Sequence, residues 1–448
     1  MSSGEIENLA YVDIQHDALA VFDDVDQGTV LSEDIWISGY QFGETSLHGK
    51  AKVIVKEGGG SELVPREGVK IERISKTTFN ATIPSLSIQN RLIKFPKQVI
   101  NPPYTKKSDL DAPLHINCAS LNPKSAHIVL GGPDGYCVIL PTSLNTSTSE
   151  KPVMLQGHVG DVRDVKWFPS GEVILTASSD LSIRIYGKNG INPRTLRGHT
   201  RAITCIHIIG IGKTILSGSK DGTIRLWDIS KNEEIDRWLI GTSSRKAVDS
   251  MIILNVNDPT ILGIQDVNVD SIMLLNVQDG IWIQPFSTST SKGEEKEEGW
   301  FVKNQSESQL LSIAHQDGIV VSGYTNGMIE IMDLENLRKP SKATATNSDQ
   351  GESQVIGRIK RIKRNESPIY SLVLTKVEDS QEEGRFNLYV GTAAGLPCVL
   401  SIMKTENGFR VETKEELAGW EAVGVEAWAI GKEGEVWCAG GEGGLRRY

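Results

Sequence analysis

The pattern of apolar and polar positions is clearest between Gly157 and Asp228. Short apolar runs alternate there with turn residues, and the same order is given twice. Gly157-His158 opens the first copy and Gly198-His199 opens the second. Asp180 returns as Asp221 at the same shift. Ile183-Arg184-Ile185-Tyr186-Gly187 returns, again at that shift, as Ile224-Arg225-Leu226-Trp227-Asp228. Runs of this length bounded by turn signals predict short strands. Three landmarks at one shift predict a repeated structural unit.

A Gly-His opening, an Asp midway and a Trp-Asp close, at a period of about 40–45 residues, resemble the WD repeat, which implies one four-stranded blade per copy. Weaker copies flank the clear pair. Ile116–Ala119, His127–Gly132 and Tyr136–Leu140 read as blade one. Thr260–Ile264 and Ser271–Asn276 read as blade four, and Gly318–Gly323 with Ile329–Asp333 as blade five. Ile369–Leu374, Leu388–Thr392 and Cys398–Ile402 read as blade six, and Glu435–Gly440 with Gly443–Tyr448 as blade seven. The fold class expected is all-β: a seven-bladed WD-repeat propeller over 106–448, preceded by a small β-rich N-terminal domain over 1–105. Blade seven reads as lacking a fourth strand. Since open sheet edges are a liability, the closing strand is expected from Phe79–Lys97. Ile35–Ile37 and Ala51–Val55 are strand-like, Gly58–Ser61 is a turn, and Asn101–Thr105 reads as a linker. Ser287–Ser308 and Lys339–Glu352 are polar insertions.

Composition adds limits. The chain of 448 residues is 39% hydrophobic and 23% charged. It has no apolar run near membrane-helix length. Its start has neither the basic nor the apolar segment of a signal peptide. A formal charge of −10 argues against non-specific nucleic-acid binding. Cys118, Cys137, Cys205, Cys398 and Cys438 show no metal or disulfide spacing and are expected to be buried thiols. No cofactor and no metal are expected.

Two arrangements tempt a catalytic reading. His199, Ser219, Asp221 and Trp227 contain a hydrolase-like trio, and His158, Ser178 and Asp180 repeat it one unit earlier. A catalytic triad has no reason to appear twice at the repeat shift, so both sets read as buried hydrogen-bond networks. Gly210-Ile211-Gly212-Lys213-Thr214 resembles the end of a phosphate loop. His207 stands where the first Gly of that loop is needed, and repeat register makes the segment a strand-to-strand turn. Asn80, Asn145 and Asn365 open glycosylation-like triplets that read as chance matches. Arg358–Arg364 is the one basic run and reads as the last strand of blade five, with Ile359 and Ile362 packed and its cations solvated. Glu378-Asp379, Glu382-Glu383, Glu412, Glu415-Glu416, Glu433, Glu435 and Glu442 read as an ordinary solvated surface or as an acidic face for a basic partner.

The wording Trp167-Phe168-Pro169-Ser170-Gly171, Arg197-Gly198-His199 and Ser217–Trp227 is similar to the proteasomal ATPase-associated factor family, WD-repeat assembly chaperones of the proteasome regulatory particle. The close resemblance covers Gly157–Asp228. It implies a non-enzymatic chaperone, cytoplasmic or nuclear and monomeric when free. Such a protein binds the C-terminal domain of a proteasomal AAA ATPase subunit and blocks premature docking on the core particle. It also implies the hydrogen-bonded blade chain from His to Trp. Partner contacts are expected on loops at one face: Asp161, Arg163, Ser179, Thr200, Arg201, Lys220, Tyr324 and Glu442, with Trp420 and Glu421 entering blade seven. No nucleic acid and no membrane is expected. The competing readings are a generic WD-repeat scaffold, such as a ubiquitin-ligase substrate receptor or ribosome-assembly factor, and an enzyme using a central pocket.

Overall fold

In the computed structural model, residues 6–448 are described except 67, 104–114, 144–149, 243, 256–258, 265–268, 288–296, 305, 340–351, 354–357, 379–383, 433 and 442. The short apolar runs become strands, and turn residues return each one antiparallel to the last. Among the described residues, eight sheets are each built on four antiparallel strands; one lies in the N-terminal segment, and of the other seven, three take further strands at the outer edge. Sheet one begins with Cys118–Leu121 and sheet two comprises Val162–Trp167, Val173–Ser178, Ser182–Gly187 and Arg194–Arg197. Sheet three comprises Ile203–Ile209, Thr214–Ser219, Thr223–Asp228 and Glu233–Leu239. Sheets four to seven begin with Ser250–Asn255, Leu310–Gln316, Ile369–Lys376 and Val425–Ile430. First strands of consecutive sheets pack on each other in chain order, and that of sheet seven packs on that of sheet one. The fold is all-β and β-propeller-like.

Each junction between sheets carries a hydrogen bond. Asn117 Nδ2 donates to the Val162 carbonyl at 3.1 Å, and the Ile206 N–H donates to Asp164 Oδ2 at 3.0 Å. Thr204 Oγ1 donates to Val248 O at 2.8 Å and Asn276 Nδ2 to Leu310 O at 3.2 Å. Ser312 and Ser371 hydroxyls donate to Ile369 O and Val425 O, both at 2.9 Å. The Ile116 N–H donates to Gly440 O at 3.1 Å, joining sheet seven to sheet one. These bonds satisfy backbone groups that packing would otherwise leave unpaired.

The fourth strand of sheet seven is Gln98–Ile100, antiparallel to Leu445–Arg447. It lies just beyond the expected window Phe79–Lys97. That window instead forms Thr78–Ile83 and Ile88–Lys94, and the latter adds in parallel to Gly408–Leu417, the outer strand of sheet six. Ile6–Asn8 adds in parallel to Ile359–Lys363 of sheet five. The N-terminal segment thus covers two outer sheet edges as well as completing a third. It has its own core, in which Ile35, Ile37, Ala51, Val53 and Phe79 of its strands meet the helix Ala18–Asp26. The strand-like reading of this segment leaves that helix out. Its buried Ala18, Val21, Phe22 and Val25 stand at i, i+3, i+4 and i+7, which is the available signal.

Three further expectations are corrected. Pro259–Leu262 is a 3-10 helix, so Thr260–Ile264 is no strand; Ser250–Asn255 opens sheet four. The basic run forms the strand Ile359–Lys363, but not all its cations are solvated. Arg361 pairs with Glu330 at 2.8 Å, and Arg364 is buried against Glu416 at 2.5 Å. Glu416 in turn holds Arg91 at 2.8 Å and accepts the Val12 N–H at 3.3 Å, so it is a buried junction and no part of an acidic face. All five cysteines are buried free thiols.

Candidate functional site

The hydrolase-like groups lie inside sheets two and three. In sheet three Trp227 Nε1 donates to Ser217 Oγ at 2.8 Å, and Ser217 Oγ stands 2.7 Å from His199 Nε2. His199 Nδ1 faces Asp221 Oδ2 at 2.9 Å. Asp221 can only accept, so Nδ1 carries a proton and donates to it. Asp221 also accepts the Thr223 hydroxyl at 2.6 Å and the N–H groups of Thr200 and Thr223, each at 2.9 Å. Burial alone would raise this carboxyl. Hydrogen bonds from His199, Thr223 and Thr200 outweigh it and hold the group well below the usual carboxylate range. The His199 side chain is 0% exposed, so no substrate reaches it.

The serine in this chain is Ser217. The sequence reading places Ser219 there, but its hydroxyl donates to the Arg201 carbonyl at 3.0 Å and accepts the Asp221 N–H at 3.1 Å. It ties the tight turn to the incoming loop. Ser178 does the same in sheet two, donating to Gly160 O at 2.8 Å and accepting the Asp180 N–H at 3.1 Å. His158 faces Asp180 at 2.9 Å and Thr176 at 2.7 Å, so Thr176 stands in the place of Ser217. Tyr186 lacks an indole N–H, and its hydroxyl donates elsewhere, to Gln156 O at 2.9 Å. Asp180 is lowered as well, since bonds from His158 and Ser182 outweigh its burial. Sequence reasoning misses Ser217, Thr176 and Thr223, although Thr176 and Ser217 are themselves related by the repeat shift.

Of the expected contact residues, Asp161, Arg163, Ser179, Thr200, Arg201 and Lys220 gather at one end of sheets two and three. Arg163 pairs with Asp161 at 3.0 Å, and Lys220 pairs with Asp249 of the next sheet. Arg163, Thr200 and Arg201 are exposed; Asp161, Ser179 and Lys220 are half-buried. Tyr324 and Trp420 do not belong to a surface. Tyr324 is buried and donates to Glu330 at 2.6 Å. Trp420 is buried, donates to the Tyr448 hydroxyl at 2.8 Å and lies under the Arg446 guanidinium. Their apolar surface places them inside the protein. Glu421 is exposed, 3.9 Å from His16 of the N-terminal segment. Glu442, Glu433, Asp379, Glu382, Glu383 and Asn145 lie outside the described residues, as do most of Lys339–Glu352 and part of Ser287–Ser308; within the latter, Trp300–Lys303 is no loop but the fourth strand of sheet four. Glu412, Glu415 and Glu435 each pair with a neighbouring cation. The phosphate-loop fragment is a turn followed by the strand Thr214–Ser219. Among the described residues there is no group of His, Cys, Asp and Glu able to hold a metal ion, and no helix long and apolar enough to cross a membrane.

Comparison with known proteins agrees with this geometry. The WD domain, G-beta repeat, model matches residues 149–187 and 190–228, the two units that hold the His–Asp networks. Eukaryotic translation initiation factor 3 subunit I of Homo sapiens is 33% identical over 86 residues, 19% of this chain and 26% of the relative. The Danio rerio protein of that name is 33% identical over 95 residues, 21% of this chain and 29% of the relative. The matched part spans little more than a quarter of these curated relatives. A solved structure of U3-55K aligns with a TM-score of 0.52 and 13% identity, over 77% of this chain and 93% of that one, a likeness of fold.

Proposed function

We propose that this WD40-repeat protein is a non-enzymatic scaffold whose sheets one to seven are the blades of one closed propeller. In that reading residues 1–105 are a β-rich domain that closes the last blade, and 106–448 are the propeller. The observation that carries the scaffold role is the consumption of both His–Asp sets inside sheets two and three. Every polar atom a hydrolase would need there is already bonded and shielded from solvent. What remains for function is a stiff body with exposed loops.

The finer reading is an assembly chaperone of the proteasome regulatory-particle base. It holds the C-terminal domain of an AAA ATPase subunit and sterically blocks premature docking on the core particle. The wording of Gly157–Asp228 and an N-terminal segment without repeats ahead of the sheets support it. Asp161, Arg163, Ser179, Thr200, Arg201, Lys220 and Glu421 are the contact candidates that remain. The protein is then cytoplasmic or nuclear and monomeric when free. The likeness to translation initiation factor 3 subunit I lies in the same two repeats and favours the scaffold class without choosing a partner.

Affinity purification of the full chain followed by mass spectrometry tests both levels. Stoichiometric base ATPases without mature core particle support the chaperone. Initiation-factor, ubiquitin-ligase or pre-ribosomal subunits in their place overturn it and keep the scaffold. A turnover number for any hydrolytic substrate that falls with His199→Ala overturns the scaffold itself.

A further inference from the structure

In an antiparallel four-stranded sheet, the turn between the second and third strands and the link to the next sheet share one end. The other two turns share the opposite end. The contact candidates above sit at the first end of sheets two and three. The first end exposes Val159 and Leu239, at 84% and 53%, and the opposite end exposes two isoleucines. Ile211, in the first turn of sheet three, is 88% exposed, and Ile191, in the last turn of sheet two, is 63% exposed. With cations around them, two exposed isoleucines offer a partner both apolar contact and charge.

Neither isoleucine is on a loose loop. Ile191 closes a turn in which its carbonyl accepts the Gly187 N–H at 2.9 Å and its N–H donates to Asn189 Oδ1 at 3.1 Å. Ile211 is followed by Gly212, whose φ of +95° lets the turn pass against Phe168 of sheet two; a Cβ there would come within 2.3 Å of that ring. The two turns belong to one surface. Arg194 Nη1 donates to the Ile229 carbonyl across the sheet boundary, and the Ile229 N–H donates to Lys213 O at 3.1 Å.

Four cations rim the isoleucines, with the exposed carboxylates Glu172 and Glu233 at the same end. Arg194, Lys213 and Lys231 are exposed and Lys188 is half-buried. Elsewhere in these sheets Lys220, Arg225 and Arg237 have carboxylate partners. Lys188, Arg194, Lys213 and Lys231 have none in salt-bridge contact among the described residues. Asp228, close before Lys231, turns its carboxylate to the Ser230 hydroxyl and the Lys231 N–H. Residues 149–248 hold fifteen Lys/Arg against ten Asp/Glu, in a chain whose formal charge is −10. The basic character is therefore local to these two sheets.

We propose that this end of sheets two and three is a second docking surface, for an acidic, apolar-bearing segment of a partner protein. Its apolar side chains cover Ile191 and Ile211 while its carboxylates face Lys188, Arg194, Lys213 and Lys231. The isoleucines decide between classes of partner. A nucleic acid would engage the four cations through phosphates and gain little from two aliphatic side chains, whereas a peptide carrying both Glu and Leu uses both features. The surface is independent of the ATPase reading, because it lies at the opposite end of the sheets.

The test uses full-length protein and two labelled probes, a short peptide of Glu and Leu in equal number and a thymidine oligonucleotide of matched length, followed by fluorescence anisotropy. The peptide is expected to bind. K188E together with K213E should weaken it at least tenfold, as should I191S together with I211S. R201E, at the other end, should leave it within twofold. Thermal melts of the variants should stay near the parent's, since the side chains are exposed, and I191S alone serves if the double variant unfolds. Absence of peptide binding overturns the proposal. So does tighter binding of the oligonucleotide that responds to the lysine changes but not to the isoleucine changes, which assigns the surface to nucleic acid. Equal weakening by R201E overturns it as well, because general attraction to the chain's cations would then be the cause.

Discussion

Sheets three and five are built on one frame and satisfy their interiors differently. In sheet three the Thr214–Asp228 pair starts the hairpin, and in sheet five the Ile319–Asp333 pair does. Counting from those pairs, Met332 stands where Trp227 stands, Asn326 where Asp221 stands, and Tyr324 where Ser219 stands. Sheet three runs its polar chain through Trp227, Ser217, His199 and Asp221. Sheet five buries Tyr324 against Glu330 at 2.6 Å, and Arg361 of the outer strand neutralises that glutamate at 2.8 Å. The requirement common to both is that buried polar groups find partners. The repeat wording is one way of meeting it. What stays nearly constant is the bond from each sheet to the next one's first strand. A second contrast accompanies this one. Sheets two and three have free outer edges among the described residues, whereas sheets five and six are covered by the N-terminal segment.

Deleting residues 1–105 should separate the two regions most strongly. It removes the strand paired with Leu445–Arg447 and the cover on sheets five and six. Hydrogen exchange should accelerate across sheets five to seven, with sheets two and three keeping their protection. A truncated chain that melts as high and as cooperatively as the full chain would remove the N-terminal segment from the account of stability. Glu416→Ala is expected next in size. It leaves the buried Arg364 and the half-buried Arg91 without their shared carboxylate, at a cost of about 3–5 kcal/mol. Limited proteolysis should then cut first within residues 6–100. A cost below about 1 kcal/mol would mean that Arg91 and Arg364 find other partners.

Asp221→Ala should cost about 1–3 kcal/mol by unpairing His199, Thr223 and the Thr200 N–H, read from the chemical denaturation midpoint. The same carboxylates make sheets two and three sensitive to acid. Their folded pKa values lie below the unfolded value near 3.9. Their stabilisation is therefore complete above about pH 5 and lost as pH falls below that. Exchange protection in these two sheets should drop between about pH 5 and pH 3, and Asp221→Ala should shrink that drop in sheet three while leaving it in sheet two. A drop in sheet three unchanged by Asp221→Ala would refute the assignment. The smallest effect concerns one turn. Gly222 has a φ of +75°, and its counterpart in the preceding repeat, Leu181, is held at +66°. Leu181→Gly should raise stability by roughly 0.5 kcal/mol, the strain released less the flexibility added to the unfolded chain. Gly222→Leu should lower it by about 1–2 kcal/mol, and would also press on Arg245.

Local order was legible because strands and turns depend on neighbours. The repeat shift alone marks out sheets two and three, the turn at Gly210–Thr214, and the partnership of each His with the Asp of its own repeat. It also exposes both hydrolase-like sets as parts of a repeat. The helix Ala18–Asp26 is legible too in its apolar spacing, though strand-like runs surround it. Which serine enters the polar chain was not legible. Ser217 and Ser219 fall on the same side of one strand, and only the position of the His199 ring above that strand chooses between them.

The sequence by itself therefore determined the repeat, the strand-and-turn character and the identity of the buried His–Asp pairs, since each is written within one repeat unit. Tertiary structure alone decided that Gln98–Ile100 pairs with Leu445–Arg447, that Ile88–Lys94 covers sheet six, and that Arg91 and Arg364 share Glu416. It also moved Tyr324 and Trp420 from the surface to the interior, and brought Ile191 and Ile211 to one end among cations that have no salt bridge among the described residues. Those outcomes depend on which distant surfaces meet when the sheets pack, and no periodicity along the chain encodes that.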